Sequence, residues 1–335
     1  MNICNHLCLP QGIKDAMGRT NVFFSEEYAD YLKSHGQKLI FAYDEERIIP
    51  IRIITKLIFK WGVMQSEPYM LTEYPQKSLE KYLDEVQAAL GKRCGIQWII
   101  SAATAFFDDT PSKNCKRIPF GSHVIDLSCD EEYLWSKVHS KHRNVIRKSE
   151  KEEVTIKFGH IELLEDYLKI DAVTWERSGR SGNGHDYYAR QINNMKDELE
   201  VCMAYHQGIP QAGAIIYYNS QMAYYMYGAS ADSPMTGAAN LLQWEIIKRL
   251  KSKNVQSYSF VGCRINEDEN SKYHGIQRFK ERFGGTLMQG YIFRAENKPL
   301  MYKLFCLAMR YYTKSKTPYA DVVDQEIHKW QDIQK

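Results

Sequence analysis

Three β-forming runs, Glu200–Tyr205, Gln211–Tyr218 and Met222–Ala229, follow one another with only Gly208 and Asn219-Ser220 to make the turns between them. Connections this short join antiparallel neighbours, because a parallel pair needs a crossover of roughly a dozen residues or more. Everything around this meander must therefore pack onto a sheet. Upstream, the pattern predicts a helix over Glu131–Glu150 with the Cys129/Asp130 region as its cap, a short strand at Val154–Phe158, and helices over Ile161–Glu176 and Tyr187–Lys196. Downstream it predicts a helix over Asn240–Lys253, a strand at Ser257–Val261, a short helix at Gln277–Phe283 and a last strand at Thr286–Phe293. The order is strand, helix, helix, three antiparallel strands, helix, strand, helix, strand. This is a mixed α/β domain.

The first part of the chain carries a weaker version of the same pattern. A helix is expected over Glu26–Ser34, then a hairpin of Lys38–Tyr43 and Arg47–Thr55 around Asp44-Glu45, with isoleucine at 48, 49, 51, 53 and 54. Ser78–Leu90 reads as an amphipathic helix and Ile96–Ser101 as a buried strand. Asp108–Pro119 is basic and turn-rich and marks the expected boundary between two domains, a number that 335 residues accommodate. A duplicated fold is expected, although no residue-level repeat is visible.

Composition excludes several functions. A formal charge of +3 is too small to argue for nucleic acid by itself. The eight cysteines form no C-x-x-C pair, so zinc and dithiol chemistry are not expected, and no metal site is predicted. Scattered thiols and the lack of an export-signal pattern point to the cytoplasm, and no run of 18 apolar residues suggests a membrane span.

Residues 275–285 read Gly-Ile-Gln-Arg-Phe-Lys-Glu-Arg-Phe-Gly-Gly. A lysine held between aromatics, here Lys280 with Phe279 and Phe283, can stabilise the negative charge that develops in acyl transfer. The Gly pair suits a helix end that needs a left-handed turn. An ordinary basic helix end has the same composition, since cations favour the last carbonyls. Arg278 and Arg282 read as surface or phosphate-contacting groups. Upstream, Lys137, Lys141, Arg143, Arg147 and Lys148 fall within twelve residues that contain no acid. They suit a tRNA backbone, a CoA diphosphate or a nucleotide-linked sugar, or else form a solvated face balanced by Glu150, Glu152 and Glu153. Thr236, Gly237 and Ala238 open a helix whose N–H groups can hold phosphate, or whose start is simply capped by Thr236 or Ser233. Tyr225 and Tyr227, on alternate positions of one strand, can contact an acceptor or serve as packing. His185 and Asp186 can act as base and orienter, but a loop histidine without a partner is the plainer reading. Cys263 is taken as a core or loop thiol. No nucleophile–base pair is readable, which fits direct attack by a substrate amine.

Three stretches together resemble the FemAB family of tRNA-dependent aminoacyl ligases of cell-wall synthesis. They are Lys141-His-Arg-Asn-Val-Ile-Arg-Lys-Ser-Glu-Lys-Glu-Glu-Val154; Met226–Asp232 with Leu241–Lys248 and Tyr258–Gly262; and Gly275–Gly285, similar to the family's Phe-Lys-x-x-Phe-Gly-Gly motif. The element order also resembles the GNAT acyltransferase fold, whose sheet splays to admit the acyl donor. The resemblance implies two tandem GNAT-like domains with mixed splayed sheets flanked by helices. Residues 1–122 would form the acceptor side, with 297–335 returning to it, and residues 123–296 the donor side. It implies Lys280 as the catalytic group, with Phe279, Arg278, Tyr225, Tyr227, Lys141, Arg143, Arg147 and Lys148 as substrate contacts. Thr236, Gly237 and Ala238 would hold donor phosphate. The co-substrate would be aminoacyl-tRNA or acyl-CoA, with no cofactor tightly bound. The acceptor would be an amine of a nucleotide- or lipid-linked cell-envelope precursor. Two other readings stay open: an acyl-CoA-dependent GNAT acting on an amino sugar or small amine, against which the incomplete Arg/Gln-x-x-Gly-x-Gly/Ala signature counts, and a non-catalytic tRNA-binding or scaffold protein. The apolar stretch Leu300–Tyr312, with Lys303 and Arg310, can lie on a membrane surface or dock on the body.

Overall fold

The computed structural model describes residues 1–17, 19–179, 181–265, 272–313 and 319–333. The chain forms two compact units. One comprises Met1–Gly18, Leu32–Gly121 and Gln289–Lys335, the other Arg19–Tyr31 and Ser122–Met288. The breaks at 121/122 and 288/289 compare with expected boundaries at 122/123 and 296/297. The short segment Arg19–Tyr31 goes with the second unit.

Helix α1 (Glu26–Ser34) and the hairpin of β1 (Lys38–Tyr43) and β2 (Arg47–Lys56) form as expected. The Asp44 carboxylate makes the turn by accepting from the Glu46 and Arg47 N–H groups, both at 2.9 Å. A strand that the sequence reading did not assign, β3 (Phe59–Met64), continues the meander antiparallel to β2. Helix α2 (Leu79–Cys94) is capped by Ser78 and ended by a left-handed Gly95. It crosses to β4 (Trp98–Ser101), which runs parallel to β3 with Trp98 opposite Trp61. Ile49, Ile51, Leu83, Val86 and Phe293 are among the residues that close this core.

The expected boundary region holds a second unassigned strand, β5 (Cys115–Asp126). Its turn-like composition is confined to the residues before Cys115. The second unit then carries α3 (Glu131–Lys137), α4 (Ser140–Lys151), β6 (Thr155–Gly159), α5 (Leu164–Arg177), α6 (His185–Asn194), β7 (Leu199–His206), β8 (Ile209–Tyr218), β9 (Met222–Ser230), α7 (Ala238–Ser252), β10 (Ser257–Ser259) and α8 (Lys272–Glu281). Strands β6 to β9 are mutually antiparallel, β9 and β10 are parallel, and β10 pairs antiparallel with the end of β5. This is the mixed sheet expected of a GNAT-like unit. The helix expected over Glu131–Glu150 is broken at Val138–His139. There the His139 ring accepts from the Lys141 N–H at 3.1 Å and caps a new helix.

The chain returns to the first unit along β11 (Thr286–Glu296), whose Arg294 pairs with Ile100 of β4. It ends in α9 (Pro299–Tyr312) and α10 (Val322–Ile333). No helix among the described residues is long and apolar enough to cross a membrane.

Candidate active site

Within the second unit, the sheet opens between β9 and β10. The two pair only through Met222, Ala223 and Tyr224 opposite Ser257, Tyr258 and Ser259. Beyond Tyr224, β9 runs on to Ser230 without a described partner on that side, while Phe260 bonds back to the His123 carbonyl at 3.0 Å. A bulge drives the divergence. Ile215 and Ile216 of β8 are consecutive, yet face Tyr227 and Tyr225 of β9, which leaves Met226 unpaired.

The bulge also corrects the expectation that Tyr225 and Tyr227 share a face. Tyr225 packs on the α7 side, 6.2 Å from the Phe260 ring, with Gln243 beside its hydroxyl. Burial pushes that phenol up to about 12. Tyr227 turns to the other face, where its hydroxyl meets that of Tyr187 at 2.9 Å.

The backbone leaving β10 turns in an unusual conformation. Val261 and Gly262 both have positive φ, 49° and 59°, a region that a β-branched residue rarely enters without outside support. That support is Lys280. Its ammonium donates to the Val261 carbonyl, and to the Gly262 carbonyl at 3.1 Å. The residue keeps partial exposure, but the surround of its ammonium is dense. Desolvation lowers its pKa to about 8, with the neighbouring Cys263 opposing the shift. Sequence reasoning assigned no role to the Val261 and Gly262 carbonyls, because a hydrogen bond across 18 or 19 residues leaves no local signal.

Phe279 and Phe283 fix the helix that carries Lys280. Their rings meet edge to face at 5.2 Å, both contact His142 of α4, and Phe283 stacks on Phe260. Burial lowers the His142 pKa to about 4, so it joins this cluster as a neutral ring. The Gly pair then follows from crowding. Gly284 has φ +83°, and a Cβ there would lie 2.6 Å from the Lys137 Cβ and 2.7 Å from its carbonyl oxygen. We expect Gly284→Ala to destabilise the protein by about 2–4 kcal/mol, from left-handed strain and overpacking together. Urea denaturation would measure the loss.

The basic helix divides. Lys141, Arg147 and Lys148 are exposed on α4, with Arg147 over the Trp135 ring at 5.6 Å. Arg143 does not project toward a polyanion as expected. Its guanidinium donates to the carbonyls of Trp135, Ser136 and Val138, at 3.3, 3.0 and 2.9 Å. Those acceptors exist only because the helix breaks there. The start of α7 is likewise engaged by the protein's own groups. The Ala238 N–H is already bonded to the Met235 carbonyl at 3.1 Å, and Ala238 is fully buried, so that group cannot donate to a phosphate. Thr236 is exposed, and its carbonyl accepts from Ser149. Neither Thr236 nor Ser233 caps the helix. The cap position is Gly237 at φ +91°, where a Cβ would lie 2.4 Å from the Val145 carbonyl oxygen.

Arg278 is exposed on α8. His185 and Asp186 open α6, exposed and 3.5 Å apart. Cys263 is buried. A cavity of about 310 Å³ lies nearby, lined by Asp126, Tyr133, Lys137, Trp244, Phe283 and Gly284 among others, but Lys280 does not line it. Among the described residues no cluster of metal-ligating side chains occurs.

The FemAB family model matches residues 114–208 and 205–310, together 197 of 335 residues. The chain belongs to the FemAB family. The match spans the whole site: the broken basic helix, the bulged strand, the Val261-Gly262 turn and the Lys280 helix. A lipid II:glycine glycyltransferase of Staphylococcus haemolyticus (strain JCSC1435) is 30% identical over 125 residues, which cover 36% of this chain and 30% of the relative. One of Staphylococcus aureus (strain NCTC 8325 / PS 47) is 28% identical over 127 residues, with 37% and 30% covered. The match thus spans less than a third of the length of these relatives. Among solved structures, the crystal structure of FemX superposes with a TM-score of 0.65 at 14% identity, covering 91% of this chain and 99% of that one. L-PGS from Bacillus licheniformis superposes at 0.53 and 13% identity, with 82% and 88% covered. At these identities the likeness is one of fold.

Proposed function

We propose that this FemAB chain is an aminoacyltransferase that moves an aminoacyl group from charged tRNA to an amine of a lipid-linked peptidoglycan precursor in the cytoplasm. The observation that carries the reading is Lys280, a desolvated ammonium held by the carbonyls of Val261 and Gly262, just past β10, with no carboxylate partner among the described residues. An ammonium whose described partners are uncharged carbonyls is available to negative charge arriving from outside. The acceptor amine attacks the carbonyl carbon of the aminoacyl ester, and the carbonyl oxygen becomes an oxyanion that Lys280 stabilises. The intermediate then collapses. The ester C–O bond breaks, the tRNA terminal hydroxyl leaves with a proton, and the amine, having lost one, becomes an amide. The exposed Lys141, Arg147 and Lys148 are proposed contacts for the tRNA backbone, with Arg278 as a further contact. Arg143 acts through the structure of the helix junction. The engaged Ala238 N–H favours tRNA over CoA as donor, because it removes one donor from the place where a pyrophosphate would sit. Glycine is the group to test first, since the relatives are named for it.

Purified protein given glycyl-tRNA and lipid II is expected to form a product heavier than lipid II by one glycyl residue, read by mass spectrometry. Product from acetyl-CoA and an amino sugar instead, or RNA binding with no donor consumed, would overturn the proposal.

A further inference from the structure

The reaction leaves one surface of the first unit unexplained. Helix α9 is apolar on both sides. Tyr302 and Phe305 are buried against Phe59 and Trp98. The opposite side carries Leu300, Leu304, Leu307 and Tyr311, at intervals of 4, 3 and 4 residues that place them in one stripe. All four are exposed, Leu300 by 78% and Tyr311 by 89%. A helix apolar all round is ordinarily enclosed, and this one is enclosed on one side only.

A second element of the same unit carries the same chemistry. Strands β2 and β3 are joined by a two-residue tip, Leu57-Ile58, with Lys56 paired to Phe59. Tips of this kind favour Gly, Asn or Asp, yet Leu57 holds φ +55° and is 89% exposed, and Ile58 is 63% exposed. The tip and the helix are neighbours, because the Lys56 ammonium lies over the Tyr312 ring at 5.2 Å.

Charge identifies the occupant. Neither α9 nor the segment 56–60 contains an acidic residue. Lys303 and Arg310 flank the leucine stripe on one side, exposed, and Lys56 lies toward the other. A cavity of about 420 Å³ runs along the flank. Lys116, Lys303 and Arg310 line it, with Glu296 and Asp324, whose carboxylates are already bound to Arg294. Leucines on one face with cations at their edge are the composition of an interfacial helix on an anionic bilayer. We propose that the α9 stripe and the Leu57-Ile58 tip form a membrane-docking surface for anionic phospholipid. It goes beyond the transfer reaction and does not depend on the donor. It gives an enzyme with a lipid-linked acceptor a way to approach its substrate.

The test is co-sedimentation of the full chain with vesicles, phosphatidylglycerol-containing against pure phosphatidylcholine, without tRNA or acceptor. Binding is expected to the anionic vesicles and to weaken steeply with salt. It should fall at least about tenfold in Leu57→Ser/Ile58→Ser and in Lys303→Glu/Arg310→Glu, at unchanged melting temperature, these side chains being exposed. Equal binding to both vesicles, or no effect of either variant, would overturn the proposal. So would a concentration-dependent dimer abolished by the same variants with no vesicle binding, which assigns the stripe to a second copy. Transfer to a soluble, nucleotide-linked acceptor, measured in parallel, separates failure of this surface from failure of the proposed reaction.

Discussion

Replacing Lys280 with Met is expected to lower the rate of aminoacyl transfer by about 10²–10³, the scale seen when one preorganised donor to an oxyanion is removed, while the overall fold persists and only the Val261-Gly262 turn loses its support. Single-turnover assays with charged tRNA would read the rate. Melting curves would read the fold. Lys280→Arg should not restore the rate, because a guanidinium is too wide to sit between the Val261 and Gly262 carbonyls in the same way. The pH dependence makes the role specific. The ammonium loses its proton near pH 8, so wild-type transfer should acquire a declining limb above that pH, which the Arg variant should lack. Stability runs in the opposite sense. Between pH about 8 and 10.5 the unfolded chain holds this proton more tightly than the folded one. The wild type should therefore gain stability relative to the Met variant as pH rises through that window. A Met variant of unchanged rate would remove Lys280 from the mechanism.

Arg294→Met is expected to cost about 3–5 kcal/mol of stability, the largest structural effect we anticipate from a single side chain. The guanidinium is 1% exposed. It bonds Glu296 at 2.9 Å, both Asp321 and Asp324 at 2.7 Å, and the Tyr302 hydroxyl at 2.8 Å. Removing the cation strands the three carboxylates that it had compensated, Glu296, Asp321 and Asp324. Burial alone would raise the Asp324 pKa, but the hydrogen bonds and charge of Arg294 hold it below the usual range. That contribution is present above the ordinary aspartate pKa and is lost as pH falls through the lower, folded value. Guanidinium denaturation would show the deficit. A quadruple change that also converts Glu296 to Gln and Asp321 and Asp324 to Asn should recover most of it, since none of the three carboxylates is then left as an unpaired buried charge. A deficit that persists in the quadruple variant would mean that packing around Tyr302, not charge, sets the cost.

The sequence carried the elements whose signals are local. The hairpin around Asp44, helix α1 and the meander β7–β9 are periodic runs bounded by turn residues, and they form as read. The Gly pair after α8 was legible for the same reason, as a left-handed turn at a helix end. What stayed hidden depends on partners distant in sequence. Strand β5 was masked by the turn-rich residues before it. The break between α3 and α4 is set by one histidine cap and by Arg143 reaching back to three carbonyls. The bulge at Met226, which sends Tyr225 and Tyr227 to opposite faces, arises from pairing with β8 and has no signature in β9 itself. The Lys280 helix could be found from its motif, but the carbonyls that grip it could not.

The segment Arg19–Tyr31 has a consequence for how the polypeptide is made. Phe23 packs 4.9 Å from the Tyr224 ring, Asn219 donates to the Thr20 carbonyl at 2.7 Å, and the Ser25 hydroxyl bonds Glu198 at 2.5 Å. These residues leave the ribosome well before the strands they complete, so the nascent N-terminal stretch must wait for its docking partners. A gene fragment starting at Ser122 would omit them and leave Tyr224, Asn219 and Glu198 without these partners, so the two units are interleaved along the chain and not modules that can be cut apart at one junction.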